Sequence, residues 1–142
     1  MAKHLASSLK QQTPMAGTFG NLSVATAVIS LVAATVADTF HFLRLPAGSR
    51  LVDFTAFNSA SSASTAMAFG YRGVDITSAL LDTDYFGSGF SLAAPARHRA
   101  NSVLPPIVLD EEFEIVGTLS GANIATSTKI TASVLYEFAG SR

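Results

Sequence analysis

The last long stretch of the chain, Thr128 to Phe138, reads T-K-I-T-A-S-V-L-Y-E-F. Ile130, Ala132, Val134, Tyr136 and Phe138 take one set of alternate positions, and Lys129, Thr131, Ser133, Leu135 and Glu137 take the other. Successive side chains of a strand point to opposite sides of its sheet, so a two-residue period marks a half-buried β-strand and does not fit the 3.6-residue period of a helix. The same alternation recurs along most of the chain, and it restricts the fold to one built from sheets.

Read upstream, Val24 to Leu31 sets Ala25, Ala27, Ile29 and Leu31 against Val24, Thr26, Val28 and Ser30. Both sets are largely apolar, which predicts a strand covered on both faces. Asp38 to Leu45 places Phe40 and Phe42 opposite Thr39, His41 and Leu43; Pro46-Ala47-Gly48-Ser49 then breaks the pattern as a turn. Arg50 to Asn58 resumes it, with Val52, Phe54 and Ala56 opposed to Leu51, Asp53, Thr55 and Phe57. The small polar run from Asn58 to Thr65 reads as a loop. Ala66 to Arg72 follows as a strand, with Met67, Phe69 and Tyr71 on one face and Ala68 and Gly70 on the other, where a second surface can approach closely. Ile76, Leu80 and Leu81 have helix-like spacing, so a helical turn is expected there, with a bend at Asp82-Thr83-Asp84. Gly87-Ser88-Gly89 between Phe86 and Phe90 predicts a bulged strand. Pro95 to Ser102 reads as a basic connection, and Pro105-Pro106 as an extended, non-central segment. Asp110-Glu111-Glu112 is a bend before Phe113 to Leu119, whose inward set is Phe113, Ile115, Gly117 and Leu119. About eight short strands joined by turn-rich loops predict an all-β sandwich or barrel of antiparallel strands.

Residues 1–21 differ. Ser, Gln, Thr, Pro and Gly dominate, so they form an N-terminal arm ahead of a β-domain over 22–142. Met1 to Gln12 has the composition of a short helix ended by Pro14, a disordered terminus accounts for it equally well, and an arm that orders on a neighbouring subunit is the sharper reading. Leu22 to Ala37 has some features of a secretory signal core, but Ser23, Thr26, Ser30 and Thr35 interrupt it, and it falls short of the roughly 20 residues that span a bilayer. A strand is the better fit, and no membrane partner is expected.

Composition narrows the chemistry. At 142 residues the chain fits one domain. Charged residues make up 13%, against roughly 25% in ordinary globular chains, so copies repel one another weakly and the surface suits packing against partners. The net charge of −1 provides no basic stripe for nucleic acid. Residues 1–23 carry Lys3 and Lys10 and no carboxylate, whereas all ten carboxylates lie in the rest. There is no cysteine, which rules out disulfides and thiolate metal sites and leans toward assembly in a reducing compartment. There is no tryptophan, and ten Phe supply the bulk for a core.

A search for chemical motifs returns nothing. His4, His41 and His98 stand in three separate segments; His41, beside Phe40 and Phe42, reads as an exposed or hydrogen-bonded side chain and not as a ligand. Asp82-Thr83-Asp84-Tyr85 is a poor calcium loop and a good solvated turn. No G-x-S-x-G elbow, phosphate loop or dinucleotide fingerprint occurs. No catalytic residue, metal ligand or cofactor is therefore assigned. Arg97-His98-Arg99 is the one basic cluster, and its arginines are suited to the carboxylates of a partner subunit, or to plain solvation.

The run from Asp38 to Asp53, D-T-F-H-F-L-R-L-P-A-G-S-R-L-V-D, resembles a segment common in head proteins of tailed bacteriophages, specifically the small capsid decoration or cement proteins. Ala68-Phe69-Gly70-Tyr71 followed by Asp84-Tyr85-Phe86, and Phe113 to Thr118 with Ile130 to Phe138, resemble further strands of that family. The resemblance covers roughly residues 24–139 and implies a jelly-roll-like antiparallel β-sandwich. It implies a homotrimer on the outer surface of a virion capsid, bridging major capsid subunits against internal DNA pressure. Lys3, His4 and Lys10 of the arm, with Arg97 and Arg99, are then the expected partner contacts. Three other readings stay open: a tail or head-completion component, a carbohydrate- or receptor-binding module, and, with least support, an enzyme. The lack of tryptophan and of an exposed aromatic platform speaks against the second of these.

Overall fold

The structure is a computed structural model, which describes the backbone of residues 3–5 and the whole of 22–101 and 106–138. The described residues contain ten strands and no helix: β1 (Lys3–Leu5), β2 (Leu22–Leu31), β3 (Thr39–Leu45), β4 (Ser49–Asn58), β5 (Ala66–Gly73), β6 (Leu81–Ser91), β7 (Ala96–Arg99), β8 (Ile107–Leu109), β9 (Phe113–Ser120) and β10 (Thr128–Phe138). They form two five-stranded sheets. Sheet A has the order β1-β3-β9-β5-β6, and sheet B the order β2-β10-β4-β7 with β8 also on β4. Every pairing is antiparallel except β1 on β3, which is parallel. The antiparallel sandwich expected from the alternation is the fold observed.

The sheets face each other with unlike surfaces. Sheet A contributes bulk to the interior: Phe40, Phe42, Leu45, Met67, Phe69, Tyr71, Phe113, Ile115 and Leu119 are all buried. Sheet B answers with small residues at its β2 end, Ala25 and Ala27 beside Ala132, and with Ile29, Val134 and Phe54. Phe54 joins the two layers. Its ring lies 4.9 Å from Phe69 and stacks on Phe86 at 4.6 Å and 15°. Offset aromatic pairs of this sort add about 0.5–1.5 kcal/mol each beyond the area they bury. Gly117 makes room for the packing: a Cβ there would lie 2.7 Å from Met67 Sδ and 3.0 Å from Phe42.

β10 is the central strand of sheet B, paired with β2 on one side and β4 on the other. It buries Ile130, Ala132, Val134 and Tyr136, as the alternation predicts. β4 departs from its reading. The register on β10 slips between Leu135 and Tyr136, so that Leu51 pairs with Tyr136, Asp53 with Leu135, and Val52 is the extra residue. A bulge inverts the facing of everything before it. Leu51 is therefore buried with Phe54 and Ala56, and Val52 is exposed, the reverse of the grouping read from sequence.

Four other expectations are corrected. Lys3–Leu5 is a strand and not part of a helix; the rest of residues 1–21 lies outside the described residues. Val74 to Leu80 forms turns with no helix, and Asp82-Thr83-Asp84 lies within β6. The basic connection at Arg97-His98-Arg99 is strand β7, paired with β4 from Thr55 to Asn58. Glu114, two residues past the bend at Asp110 to Glu112, is buried. The bulged strand at Gly87 and Gly89, the turn at Pro46 to Ser49 and the bend at Asp110 to Glu112 are found as expected. Between β2 and β3 the chain crosses from sheet B to sheet A through Ala33 and Ala37, both at positive φ (49° and 72°). Left-handed alanine costs on the order of 1 kcal/mol. Here it is held by the Asp38 carboxylate accepting from Thr35 N–H at 3.0 Å and by the bridge of Ala34 to Ile124.

Candidate docking face

The outward side of sheet B is where the chain is least like an ordinary protein surface. β2 turns Leu22, Val24, Thr26, Val28 and Ser30 outward; all are exposed, Val24 by 65%. β10 adds Thr131, Ser133 and Leu135, and β4 adds Val52, Thr55 and Phe57, which is 44% exposed. The register lines these up in rows. Val24 stands beside Leu135, Thr26 beside Ser133 and then Thr55, and Val28 beside Thr131 and then Phe57. Thr26 Oγ1 and Ser133 Oγ share a hydrogen bond of 2.9 Å. The middle of the face is thus apolar and hydroxylic. Charges stand only around it, at Lys129 and Glu137 on β10, at Arg50 and Asp53 on β4, and on β7. A contiguous apolar patch with a polar rim is the usual mark of an interaction surface.

Burial on both faces of β2, expected from sequence, is therefore corrected: within the described residues only the Ala25, Ala27, Ile29 and Leu31 face is covered. The sequence signal for an outward apolar face is the uncharged run between Lys10 and Asp38, which does not distinguish packing inside one chain from packing between chains.

Among the predicted contact residues, Arg97 and Arg99 lie on this side of the sandwich, on β7. Neither is idle. The Arg97 guanidinium sits 5.4 Å from the centre of the Phe57 ring, a cation–π contact. Arg99 Nη2 donates to Asp53 Oδ2 at 2.9 Å. Their side chains are exposed, so the arginines frame the apolar patch and offer it a basic edge. Lys3 and His4 belong to β1, at the β3 end of sheet A. β3 faces β2 across the sandwich, and β7 lies at the opposite edge, where the His98 ring meets Phe90 of β6. The structure therefore does not bring Lys3 and His4 together with Arg97 and Arg99. Lys10 lies outside the described residues.

His98 turns inward from β7. Its Nε2 is 2.8 Å from Asn58 Oδ1, and the Asn58 amide group donates to the carbonyls of Ser59, Leu92 and Ala94. Burial lowers the His98 pKa, outweighing a backbone hydrogen bond with Ser91 that raises it. This neutral network clips β7 and the end of β6 onto β4.

The second polar cluster is on sheet A. His41 Nδ1 bonds one carboxylate oxygen of Glu114, and Arg44 Nη2 donates to the other at 2.9 Å. His41 and Glu114 are both buried, so His41 is a hydrogen-bonded side chain and not an exposed one. A buried carboxylate held between two cationic or donor groups is a structural arrangement: it ties β3 to β9 across the bulge in their pairing. Beyond these, a shallow cleft is lined by Asp75, Ser78, Glu111 and Glu112. The Thr77 backbone N–H, followed by its hydroxyl, lowers the Asp75 pKa, and Ser78 donates to Glu111. This is a solvated turn. Among the described residues no three or more His, Asp or Glu side chains are grouped to hold a metal, and no helix is long and apolar enough to cross a membrane.

Comparison with known proteins gives no matching family model and no matching curated protein. Solved structures do match. A chain in the capsid of Ralstonia phage GP4 superposes with a TM-score of 0.71 at 14% identity, over 99% of this chain and 100% of that one. A chain in the cyanophage Pam1 capsid asymmetric unit gives 0.63 at 17% identity, over 90% and 92%. One in the acid-stable capsid of Helicobacter pylori bacteriophage KHP30 gives 0.56 at 14%, over 84% and 94%. The chain thus shares its sandwich fold, nearly end to end, with chains found in three bacteriophage capsids.

Proposed function

We propose that this chain is a structural component of a bacteriophage capsid: a decoration protein that binds the outer surface of the shell and bridges major capsid subunits. The single observation that carries this reading is the whole-chain match. The GP4 capsid chain is covered over 100% of its length by 99% of this one, so the likeness spans the whole of that chain. Identities of 14–17% make this a likeness of fold, and fold alone does not decide function. The docking face supports the step from fold to role.

In this account the outward side of sheet B lies on the shell. Val24, Val28, Leu135 and Phe57 exclude water at the centre, and Arg97 and Arg99 approach carboxylates of the capsid subunits at the rim. Residues 1–21 act as an arm whose start, β1, stays on β3 of the same subunit, and Lys3, His4 and Lys10 add contacts to an adjacent subunit. The working form is a homotrimer, as the resemblance to cement proteins implies. Each contact is weak, and attachment at several points makes the total strong. The chain transforms no substrate and needs no cofactor.

The test is binding to shells assembled without this chain. Saturable binding to the outer surface, at hundreds of copies per particle, with a higher temperature of shell rupture, is the expected result. A stoichiometry of around a dozen copies points to a tail or head-completion role instead, and no binding at all removes the capsid reading. Deleting residues 1–20, which also takes β1 off β3, is expected to weaken attachment strongly while the sandwich still folds with only a modest fall in melting temperature; full occupancy by the truncated chain would remove the arm from the account.

A further inference from the structure

The four lateral ends of the two sheets are not alike. In sheet A, β1 covers the outer side of β3 from Thr39 to His41. At the other end, β6 is bent by bulges at Gly87 and Gly89 and carries Asp82 and Asp84. In sheet B, β7 is four residues long and bears two arginines. Covering, bulging, shortening and charging are the devices by which sheet ends avoid pairing with other chains. β2 has none of them. It is ten residues long, contains no proline, and lies in a stretch without charge from Lys10 to Asp38. β10 pairs with it along its whole length on one side. Among the described residues no strand pairs with the other side.

We propose that β2 is a pairing edge, and that its occupant is the β2 strand of a second copy of this chain, running antiparallel, so that sheet B continues through both subunits. Symmetry favours this arrangement. A two-fold axis perpendicular to the sheet keeps the two apolar outer faces on the same side and uses up both edges, so the contact closes on itself. A parallel pairing of the same strands has no such closure.

The side chains fit the two-fold. With Thr26 opposite the copy's Thr26, Val24 stands opposite Val28, Leu22 opposite Ser30, and on the inner face Ala25 stands opposite Ala27. Valine pairs and threonine pairs are among the favourable cross-strand combinations. No charge lies opposite an apolar residue. The flanking charges agree with the direction. β10 carries Lys129 beside Ser30 and Glu137 beside Leu22, so the antiparallel contact sets the Glu137 end of one subunit in line with the Lys129 end of the other. These ends are three strand spacings apart, roughly 14 Å, and Glu137 also faces Arg50 at 3.6 Å. The term therefore sets orientation more than strength. This contact does not depend on the capsid reading; in a homotrimer it joins a subunit of one trimer to a subunit of the next.

The experiment uses the full chain, measured by light scattering over a concentration series, with two variants. Thr26 is exposed, so neither variant disturbs the core. Thr26→Lys sets two lysines face to face at the axis. It is expected to weaken two-fold association at least tenfold, to leave the circular dichroism unchanged, and to match the wild-type melting temperature at concentrations where both chains are dissociated. Thr26→Cys introduces the chain's sole cysteine; under mild oxidation it is expected to form a disulfide-linked dimer. Thr55→Cys, on β4 of the same face and two strands from the edge, is expected not to. The inference is overturned by a wild-type chain that shows no two-fold association, by an association that Thr26→Lys leaves intact, or by cross-linking at Thr55 as fast as at Thr26.

Discussion

The two ends of sheet B show how one sheet can be finished in opposite ways. At the β7 end, a short strand is tied down by its own chain. Asn58 and His98 bond beneath it, Arg97 covers Phe57, and Arg99 meets Asp53. At the β2 end, a ten-residue strand is held, among the described residues, from one side only and turns valines to solvent. The β7 end satisfies its polar groups within the subunit, whereas the β2 end leaves a row of backbone groups and apolar side chains for a neighbour. Exposed valine on one strand is unremarkable; a long, neutral strand that is unguarded among the described residues fits the pairing edge proposed above.

Changes can be ordered by how far they reach across this contrast. Phe54→Ala removes the ring that joins both sheets beneath both ends. It is expected to destabilise the fold by about 3–5 kcal/mol, read by chemical denaturation, and to lower amide protection at β2 and β7 together. Asn58→Ala acts at one end. It deprives the His98 ring and three loop carbonyls of their partner, at about 1–3 kcal/mol. Hydrogen exchange should then show β7 loosened and β2 unchanged; equal loosening of the two would contradict the separation.

Acidification addresses the same end more gently. Burial holds the folded His98 pKa below its value in the unfolded chain, near 6.5. The unfolded chain therefore binds the proton more readily, so the contribution is complete above about pH 6.5 and is lost as pH falls below it. Melting temperatures measured across that range should show this slope, and His98→Gln should flatten it. The smallest effect is expected of Arg99→Ala. An exposed ion pair of this kind is worth no more than about 1 kcal/mol, so stability should barely move, and any larger loss in binding to shells would mark Arg99 as a partner contact.

The sheets were legible because their signal is local. In β10 and β5 the side-chain period selects the large buried residues, and turns containing Pro or Gly mark where strands stop; in β9 it selects the inward set, but Glu114 and Val116 on the other side are buried as well. The misreadings have non-local causes. The bulge that exposes Val52 is set by how β4 pairs with residues more than eighty positions later, so nothing within Arg50 to Asn58 announces it. His41 and Glu114 are 73 residues apart, and neither neighbourhood predicts that they meet. Arg97 to Arg99 looked like a loop because the basic residues dominate the text, yet the alternation that makes β7 a strand was there: Arg97 and Arg99 outward, His98 inward. The docking face was half legible. The two-sided apolar character of β2 was plain, but a single chain cannot say which of its covered faces it covers by itself.

The most direct test is a near-atomic reconstruction of shells carrying this chain. The account predicts the outer side of sheet B against the capsid subunits, with Val24, Val28 and Phe57 at the contact and Arg97 and Arg99 on its rim. A reconstruction that places that side of sheet B in solvent, or finds the chain in the tail and not on the shell, would contradict it.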